Sequence, residues 1–209
     1  MRQRKLKWAV PFLENSQYVT CCKNDGELLI ERLSKDIPIH LEIGVGKGDF
    51  IAKMAGMNPN INFIGIEAHP SVLAICARKI EDLQINNVHL FFMDGENLLK
   101  VIGENSVECL YLNFSDPWPK ARHTKRRLTS PCFIEKYEII LKKDAIIKLK
   151  TDNIGFYNYS LESLIEHNYK IISSETDYQL TDDDASSEYE QKFRSLGMPI
   201  YRIIAKRGN

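Results

Sequence analysis

The sequence lacks the features that mark membrane, secreted and metal-binding proteins. No apolar run approaches the ~20 residues that a membrane-spanning helix requires. The N-terminal stretch MRQRKLKW has cations but no apolar segment behind them, so no secretory signal is predicted. The five cysteines are scattered and show no CxxC or Cys/His ligand spacing. We therefore expect a cytoplasmic protein with free thiols, without a metal and without a membrane.

Neither sign of charge is in excess, because 28 Lys and Arg side chains balance 28 Asp and Glu side chains. The charges are nevertheless uneven along the chain. An acid-free basic arm at the N-terminus carries Arg2, Arg4, Lys5 and Lys7. A second cluster, called here the basic block (residues 120–127), carries Lys120, Arg122, His123, Lys125, Arg126 and Arg127. Two basic segments favour contacts with a polyanion, and a solvated surface run is the alternative for each.

Apolar runs alternate with segments of helical periodicity from residue 37 onward. IPIHLEI, NFIGIE, VHLFFM, VECLYLNF and AIIKLKT predict strands with helices between them. The last two predicted strands, YKIISSE and IYRIIAK, have no long helix between them. The pattern predicts an α/β fold with a doubly wound, mostly parallel, seven-stranded sheet and an antiparallel edge strand. Residues 1–35, with the helical stretch GELLIERL, are predicted to form an arm that precedes one domain over residues 36–209.

A glycine-rich loop follows the first of these strands. The stretch LEIGVGKGDF contains Gly44, Gly46 and Gly48. Glycine lets the backbone turn sharply and approach a ligand without a Cβ in the way. The spacing G-x-G-x-G differs from the G-x-G-x-x-G of dinucleotide sites. The loop alone is a weak signal, and a tight turn without a ligand is the alternative.

Acidic residues stand at the ends of the first three predicted strands. They are Glu42, Glu67 and Asp94. Ligands of doubly wound sheets bind at the carboxyl ends of the strands, so these acids are expected to converge on one crevice. Glu67 is placed to accept hydrogen bonds from ribose hydroxyls, and Asp94 lies within reach of an adenine amino group. Any one acid could instead cap a helix. The pattern favours S-adenosyl-L-methionine over a dinucleotide, and a nicotinamide dehydrogenase is the alternative.

The stretch NFSDPWPKARHTKRR places one acid, Asp116, between rigid residues and directly before the basic block. Pro117 and Pro119 fix their own φ angles and bias the preceding residues toward extended backbone. A carboxylate held beside a reacting methyl group could bind the base or offset the charge that develops on an alkylated nitrogen. The alternative is that Asp116 only begins a turn. Trp118 could stack on a base or anchor the loop in the core.

Five stretches together resemble the bacterial tRNA (guanine(46)-N7)-methyltransferases. They are LEIGVGKGDF, FIGIE, NFSDPWPKARHTKRRLT, LKTDN and SSEYEQKF, in this order and spacing. The resemblance covers nearly the whole chain, and DPWPK with its basic run is its most specific part. It implies a class I methyltransferase domain that uses S-adenosyl-L-methionine, releases S-adenosyl-L-homocysteine and forms 7-methylguanosine in the variable loop of tRNA.

The resemblance also implies roles for individual residues. The cofactor-binding residues would be Glu42, Gly44, Gly46, Gly48, Glu67, Asp94 and Asp116, and Asp116 would also be catalytic. The substrate-binding residues would be Lys120, Asp152, Ser187, Glu188, Tyr189 and Glu190. The RNA-binding residues would be Arg122, His123, Thr124, Lys125, Arg126 and Arg127. Ser187 stands where the family usually has Thr, and it keeps the hydroxyl group.

Some of these residues and the function as a whole have alternative interpretations. SEYE is also a capping box for a following helix, and Asp152 could cap the helix after its strand. The stretch TDDD (residues 182–184 with Thr181) lacks the spacing of a calcium loop and is predicted to be a solvated loop. A non-catalytic RNA-binding module, a methyltransferase for another RNA site and a small-molecule methyltransferase are the rival functions. A monomer and a homodimer are equally compatible with the sequence.

Overall fold

The computed structural model describes residues 5–21 and 37–208. Arg2, Arg4 and the predicted helix GELLIERL lie outside the described residues. The strands are β1 (Val19–Cys21), β2 (Ile39–Ile43), β3 (Asn62–Glu67), β4 (Val88–Phe92), β5 (Val107–Asn113), β6 (Leu141–Thr151), β7 (Lys170–Glu175) and β8 (Tyr201–Lys206). The α-helices are α1 (Ala9–Asn15), α2 (Asp49–Met57), α3 (Pro70–Asp82), α4 (Pro131–Ile140), α5 (Ile154–Glu166) and α6 (Glu188–Ser195). Among the described residues, two 3-10 helices span Gly95–Lys100 and Ala121–Arg126.

The strands form one sheet in the order β1-β4-β3-β2-β5-β6-β8-β7. All neighbouring pairs are parallel except those of β8, which is antiparallel to both β6 and β7. The predicted α/β fold with a mostly parallel sheet is confirmed. The described sheet has eight strands rather than seven, because the short strand β1 from the predicted arm pairs with β4. The antiparallel strand β8 lies one place inside the edge strand β7.

Helices cover the central strands on both faces, which explains their nearly continuous apolar sequences. One core cluster contains Leu41, Ile64 and Leu110, and the other contains Phe50, Phe63 and Tyr111 on the opposite face. Helix α1 packs against α3, where the Arg78 guanidinium lies 4.3 Å from the centre of the Trp8 ring. Within the described ranges, no helix is both long and apolar enough to span a membrane.

Strands β2, β3 and β4 follow one another toward one edge of the sheet, and the chain then crosses back to place β5 and β6 on the other side of β2. In open α/β sheets, ligands bind outside the carboxyl ends of the strands at this reversal point. The carboxyl ends of β2 and β5 are at Ile43 and Asn113. The topology therefore predicts a ligand site at the loops that follow these two strands.

Candidate active site

The glycine loop after β2 adopts a left-handed backbone at all three predicted glycines. The φ angles are 84° at Gly44, 58° at Gly46 and 83° at Gly48. A Cβ atom on Gly48 would also lie 2.5 Å from the Cys76 sulfur, so a side chain is excluded both by conformation and by space. The loop can therefore bring its backbone close to a ligand at the reversal point.

Glu67, at the end of β3, ties this loop to the start of the next helix. Its Oε2 accepts a hydrogen bond from the Gly46 N–H at 3.2 Å, and its Oε1 accepts one from the His69 N–H at 2.8 Å. Burial raises the pKa of the Glu67 carboxyl above its usual value, and the two backbone hydrogen bonds oppose that shift. The carboxylate is thus held in a fixed position at the rim of the crevice.

Glu42 and Asn113 meet at the carboxyl ends of β2 and β5 and form the floor of the crevice that the topology predicts there. Asn113 Nδ2 donates a hydrogen bond to Glu42 Oε1 at 2.9 Å, and both side chains are buried. Burial raises the pKa of Glu42 to about 8, although the Asn113 hydrogen bond and the Lys150 charge lower it. Among the described residues, Glu42 Oε2, Asn113 Oδ1 and Ser115 Oγ are buried without a hydrogen-bond partner. Such groups are rare in native proteins and indicate a place for a polar ligand.

Asp94 follows β4 and is exposed. Its Oδ1 accepts a hydrogen bond from the Glu96 N–H at 2.9 Å and so caps the 3-10 helix Gly95–Lys100. It stays close to Glu67, because the Met93 N–H donates to the Glu67 carbonyl at 3.1 Å. Asp94 therefore does cap a helix, and its contact with an adenine stays a prediction.

Asp116 lies in a strained loop after β5. Its side chain is exposed and makes no hydrogen bond or ion pair with any residue that the structure describes. Two nearby aromatic residues have a left-handed backbone, with φ of 50° at Phe114 and 41° at Trp118. For bulky residues this conformation is an outlier that costs on the order of 1–3 kcal/mol and is typical of functional sites. The loop is therefore more than an ordinary turn begun by an Asp-Pro pair.

The basic block folds into the 3-10 helix Ala121–Arg126 and covers Trp118. The Arg126 guanidinium lies 4.9 Å from the centre of the Trp118 ring, and the His123 ring lies 5.6 Å from it. Lys120, Arg122 and Lys125 are exposed. Trp118 thus packs against the basic block and is only half-buried, so it does not anchor the loop in the core.

Asp152 follows β6, and the predicted alternative that it caps the next helix is wrong. The neighbouring Asn153 is the cap of α5, because its Oδ1 accepts a hydrogen bond from the Phe156 N–H at 2.8 Å. Asp152 is half-buried and has no side-chain partner among the described residues. Its carboxylate is therefore available to a ligand.

The predicted substrate residues at the start of α6 differ in their environments. Ser187 caps the helix, since its Oγ accepts from the Glu190 N–H at 3.1 Å. Glu188 pairs with Lys47 of the glycine loop at 2.5 Å, and Tyr189 is 46% exposed. Glu190 is fully buried in ion pairs with Lys150 at 2.8 Å and Arg194 at 2.7 Å. Its carboxylate thus contributes to holding α6, and its predicted contact with substrate stays a prediction.

Sequence reasoning missed the buried Lys150 and its partners. Lys150 Nζ donates to the Ala185 carbonyl at 2.7 Å and pairs with Asp184 at 3.1 Å as well as with Glu190. The Tyr178 hydroxyl also donates to Asp184 at 2.8 Å. The prediction of a solvated TDDD loop is therefore wrong for Asp184, whose partners lie on β6 and in the preceding loop. AIIKLKT carries two lysines in a strand predicted to be covered on both faces, and this was the signal that an acid had to lie nearby.

These contacts join the predicted residues at one edge of the sheet. The Lys47–Glu188 pair links the glycine loop to α6, and the Phe114 ring stacks on Phe193 of α6 with 5.8 Å between centres. The Phe114 N–H also donates to the Lys150 carbonyl at 2.8 Å. Among the described residues, no cluster of three or more His, Cys, Asp or Glu side chains could hold a metal ion.

Comparisons with known proteins agree with this arrangement. A protein-family model described as "Putative methyltransferase" matches residues 36–203. A tRNA (guanine-N(7)-)-methyltransferase from Streptococcus gordonii is 43% identical over 209 residues, covering 98% of this chain and 99% of that protein. The protein of the same name from Bacillus subtilis is 42% identical, covering 97% of each chain. The chain belongs to the tRNA (guanine-N(7)-)-methyltransferase family.

Solved structures support the fold of this family member. The crystal structure of the 16S rRNA methyltransferase KamB aligns with a TM-score of 0.64 at 14% identity, covering 86% of this chain and 93% of that one. An antibiotic-related methyltransferase aligns with a TM-score of 0.63 at 18% identity, covering 88% and 95%. At these identities the likeness shows the methyltransferase fold and nothing about substrate.

Proposed function

We propose that this family member transfers a methyl group from S-adenosyl-L-methionine to N7 of guanine 46 in the variable loop of tRNA. The observation that carries the proposal is the position of Asp116, which is exposed and unpaired among the described residues between a buried acidic crevice and the basic block. Relatives named tRNA (guanine-N(7)-)-methyltransferases at 42% and 43% identity over nearly their full length support it.

The crevice suits this cofactor, which supplies an electrophilic methyl group on a sulfonium when bound. Glu42 Oε2 and Asn113 Oδ1 are acceptors that fit its ammonium group, because a buried acceptor without a partner costs about 1–3 kcal/mol until a donor satisfies it. Glu67 at the rim would accept hydrogen bonds from the ribose, and Asp94 would lie near the adenine. The left-handed glycine loop would let the backbone approach the cofactor.

The reaction requires no general base, because guanine N7 has a lone pair and carries no proton. Glu42, Asn113 and Glu67 would hold the cofactor so that its methyl group passes directly to the N7 lone pair, while its sulfur keeps the electrons of the broken sulfur–carbon bond. Asp116 and Asp152 would accept hydrogen bonds from the base N1–H and amino group, a donor pattern that adenine lacks. A carboxylate beside the base would also offset the positive charge that develops on the methylated ring.

The exposed cations of the basic block would hold the RNA. Lys120, Arg122, Lys125 and Arg126 are exposed and directly follow the Asp116 loop in the chain. They suit phosphates, which position a nucleic acid without reading its sequence. Residues 36–209 would form the methyltransferase domain, and the basic arm would add phosphate contacts. An enzyme with this substrate would work in the cytoplasm.

A methyl-transfer assay with nucleoside analysis tests the proposal. Unmodified tRNA should gain one 7-methylguanosine, and a matched tRNA with 7-deazaguanosine at position 46 should gain none, because a C–H replaces its N7. Methylation of both tRNAs would indicate another RNA site. Cofactor binding without methylation of either tRNA would favour a small-molecule substrate, and tRNA binding without cofactor binding would favour a non-catalytic RNA-binding module.

A further inference from the structure

Arg127 is the last cation of the basic block, yet its guanidinium points into the protein. Its Nε donates to the Pro117 carbonyl at 3.0 Å and to the Trp118 carbonyl at 3.3 Å. Its Nη2 donates to the same Trp118 carbonyl at 3.1 Å. Both acceptors belong to the two residues that directly follow Asp116. Arg127 therefore holds, through these hydrogen bonds, the loop that carries the exposed Asp116.

Helix α5 packs against Arg127 and fixes its position. The Arg127 guanidinium lies 4.2 Å from the centre of the Tyr159 ring, which is half-buried on α5. The chain just after Arg127 is fixed to the same helix, since Ser163 Oγ donates to the Thr129 carbonyl at 2.7 Å and the hydroxyls of Thr129 and Ser160 are 2.8 Å apart. The guanidinium is thus held on one side by a ring and bonded on its edge to the loop.

The Asp116 loop needs such a support. Phe114 and Trp118 both have left-handed φ angles, which persist only where surrounding contacts impose them. The Trp118 carbonyl accepts two of the three Arg127 hydrogen bonds, while Asp116 contributes none of its own among the described residues. The loop geometry is therefore set by its carbonyls and not by its carboxylate.

We infer that Arg127 is a positioning residue, which holds Asp116 at the methyl-transfer site through the carbonyls of Pro117 and Trp118 and does not serve mainly as a phosphate contact. The inference rests on the proposed function, because it assigns Asp116 to that reaction. A lysine cannot replace this arginine, since an ammonium lacks the planar edge that bonds two carbonyls while its face lies on a ring.

The substitution Arg127→Lys separates the two roles, because it keeps the charge and removes the planar edge. We expect kcat for tRNA methylation to fall by about a hundredfold, since a misplacement of about 1 Å can cost that much. KM for tRNA should change less than about twofold, and the log–log salt slope of tRNA binding should stay the same. The matched control is Arg78→Lys on α3, whose guanidinium also lies over an aromatic ring but far along the chain from the site. It should leave kcat unchanged.

Three results would overturn the inference. A phosphate contact predicts that Arg127→Lys keeps its kcat and that Arg127→Ala loses about 0.7–0.9 from the log–log salt slope of tRNA binding. A purely structural role predicts a lower Tm with a normal kcat for the folded protein. The positioning role also predicts that Arg127→Lys causes little further loss in an Asp116→Asn background, so additive losses would contradict it.

A fluorescence measurement distinguishes failure of this inference from failure of the proposed function. The chain has two tryptophans, so Trp8→Phe leaves Trp118 as the sole reporter. In that background, Arg127→Lys should shift Trp118 emission and increase its quenching by acrylamide. If these changes occur in a protein that does not methylate tRNA, Arg127 does position the loop and the proposed function is wrong. If Arg127→Lys leaves Trp118 fluorescence unchanged and the parent enzyme methylates tRNA, the positioning role is wrong and the proposed function is unaffected.

Discussion

Asn113 donates a hydrogen bond to Glu42 over 2.9 Å and thereby joins the carboxyl ends of β5 and β2 at the point where the chain reverses direction across the sheet. The pair leaves one buried oxygen on each side chain without a partner among the described residues. This relationship places a buried carboxyl group at the floor of the proposed cofactor site.

Cofactor binding should release a proton. The pKa of Glu42 is raised to about 8, so the carboxyl is largely protonated in the free protein near neutral pH, and a bound ammonium favours its ionised form. Affinity should therefore rise with pH by up to about tenfold per unit until about pH 8 and then level off. Titration calorimetry in buffers of different ionisation enthalpy measures the proton. Glu42→Gln should abolish its release, and equal release by both proteins would exclude Glu42 as the source.

The raised pKa also predicts how stability depends on pH. Because the folded protein holds the Glu42 proton more tightly than the unfolded chain, this group should lower the free energy of unfolding as the pH rises from about 4.5 to about 8. Denaturant titrations of the parent and Glu42→Gln across that range measure the effect. A parallel pH dependence for the two proteins would contradict the assignment.

Glu67 should contribute to cofactor affinity. Removing its carboxylate in Glu67→Ala should weaken cofactor binding by about 1.5–3 kcal/mol, the usual value for hydrogen bonds to a charged group. Glu81→Ala, on the exposed end of α3, is the matched control and should bind normally. Unchanged affinity in a folded Glu67→Ala protein would exclude Glu67 as a cofactor ligand.

Lys150 should stabilise the fold through its buried partners. Lys150→Met leaves Asp184 and Glu190 without their shared cation, and breaking a buried pair costs about 3–5 kcal/mol. Lys148→Met, two residues earlier on the same face of β6, removes a less buried cation and should cost less than about 1 kcal/mol. Denaturant unfolding compares the two, and equal losses would show that the network contributes little.

The exposed cations of the basic block should act on RNA affinity and leave cofactor affinity unchanged. Lys125→Ala should lower the salt slope of tRNA binding by about 0.7–0.9 if it removes one phosphate contact. Lys143→Ala also removes an exposed lysine, but at the amino end of β6, away from the carboxyl ends of the strands, and should not change the slope. Titrations at several salt concentrations decide between a phosphate contact and a solvated surface run.

The sequence predicted the central sheet well, because parallel strands covered on both faces must be apolar and helices between them must be amphipathic. It also placed Glu42, Glu67 and Asp94 at one edge, since the carboxyl ends of parallel strands share that edge. It did not predict β1, whose three residues are too short to show a period and pair with β4 about 70 residues later. Nor did it predict the burial of Asp184, because its partners lie on β6 and in the preceding loop.

Sequence patterns predicted the residues that cap the helix N-termini least well. Asp152 and Asn153 are both good caps, and the sequence could not decide between them, because the choice depends on where α5 begins. Ser187 and Glu190 match a capping box, but only the serine makes its hydrogen bond in the α6 cap, since the buried cation Lys150 takes the Glu190 carboxylate. At α6, a contact distant in sequence decided the outcome.

Single-turnover methylation of tRNA by Asp116→Asn tests the central claim most directly. Asparagine keeps the size of the side chain and suits a turn, while Pro117 and the Arg127 contacts should still hold the loop. Folding and tRNA binding should change little, and the rate should fall by about a hundredfold, because a charge that offsets the cationic base has been removed. A near-normal single-turnover rate in the folded Asp116→Asn protein would contradict the claim that this carboxylate acts in methyl transfer.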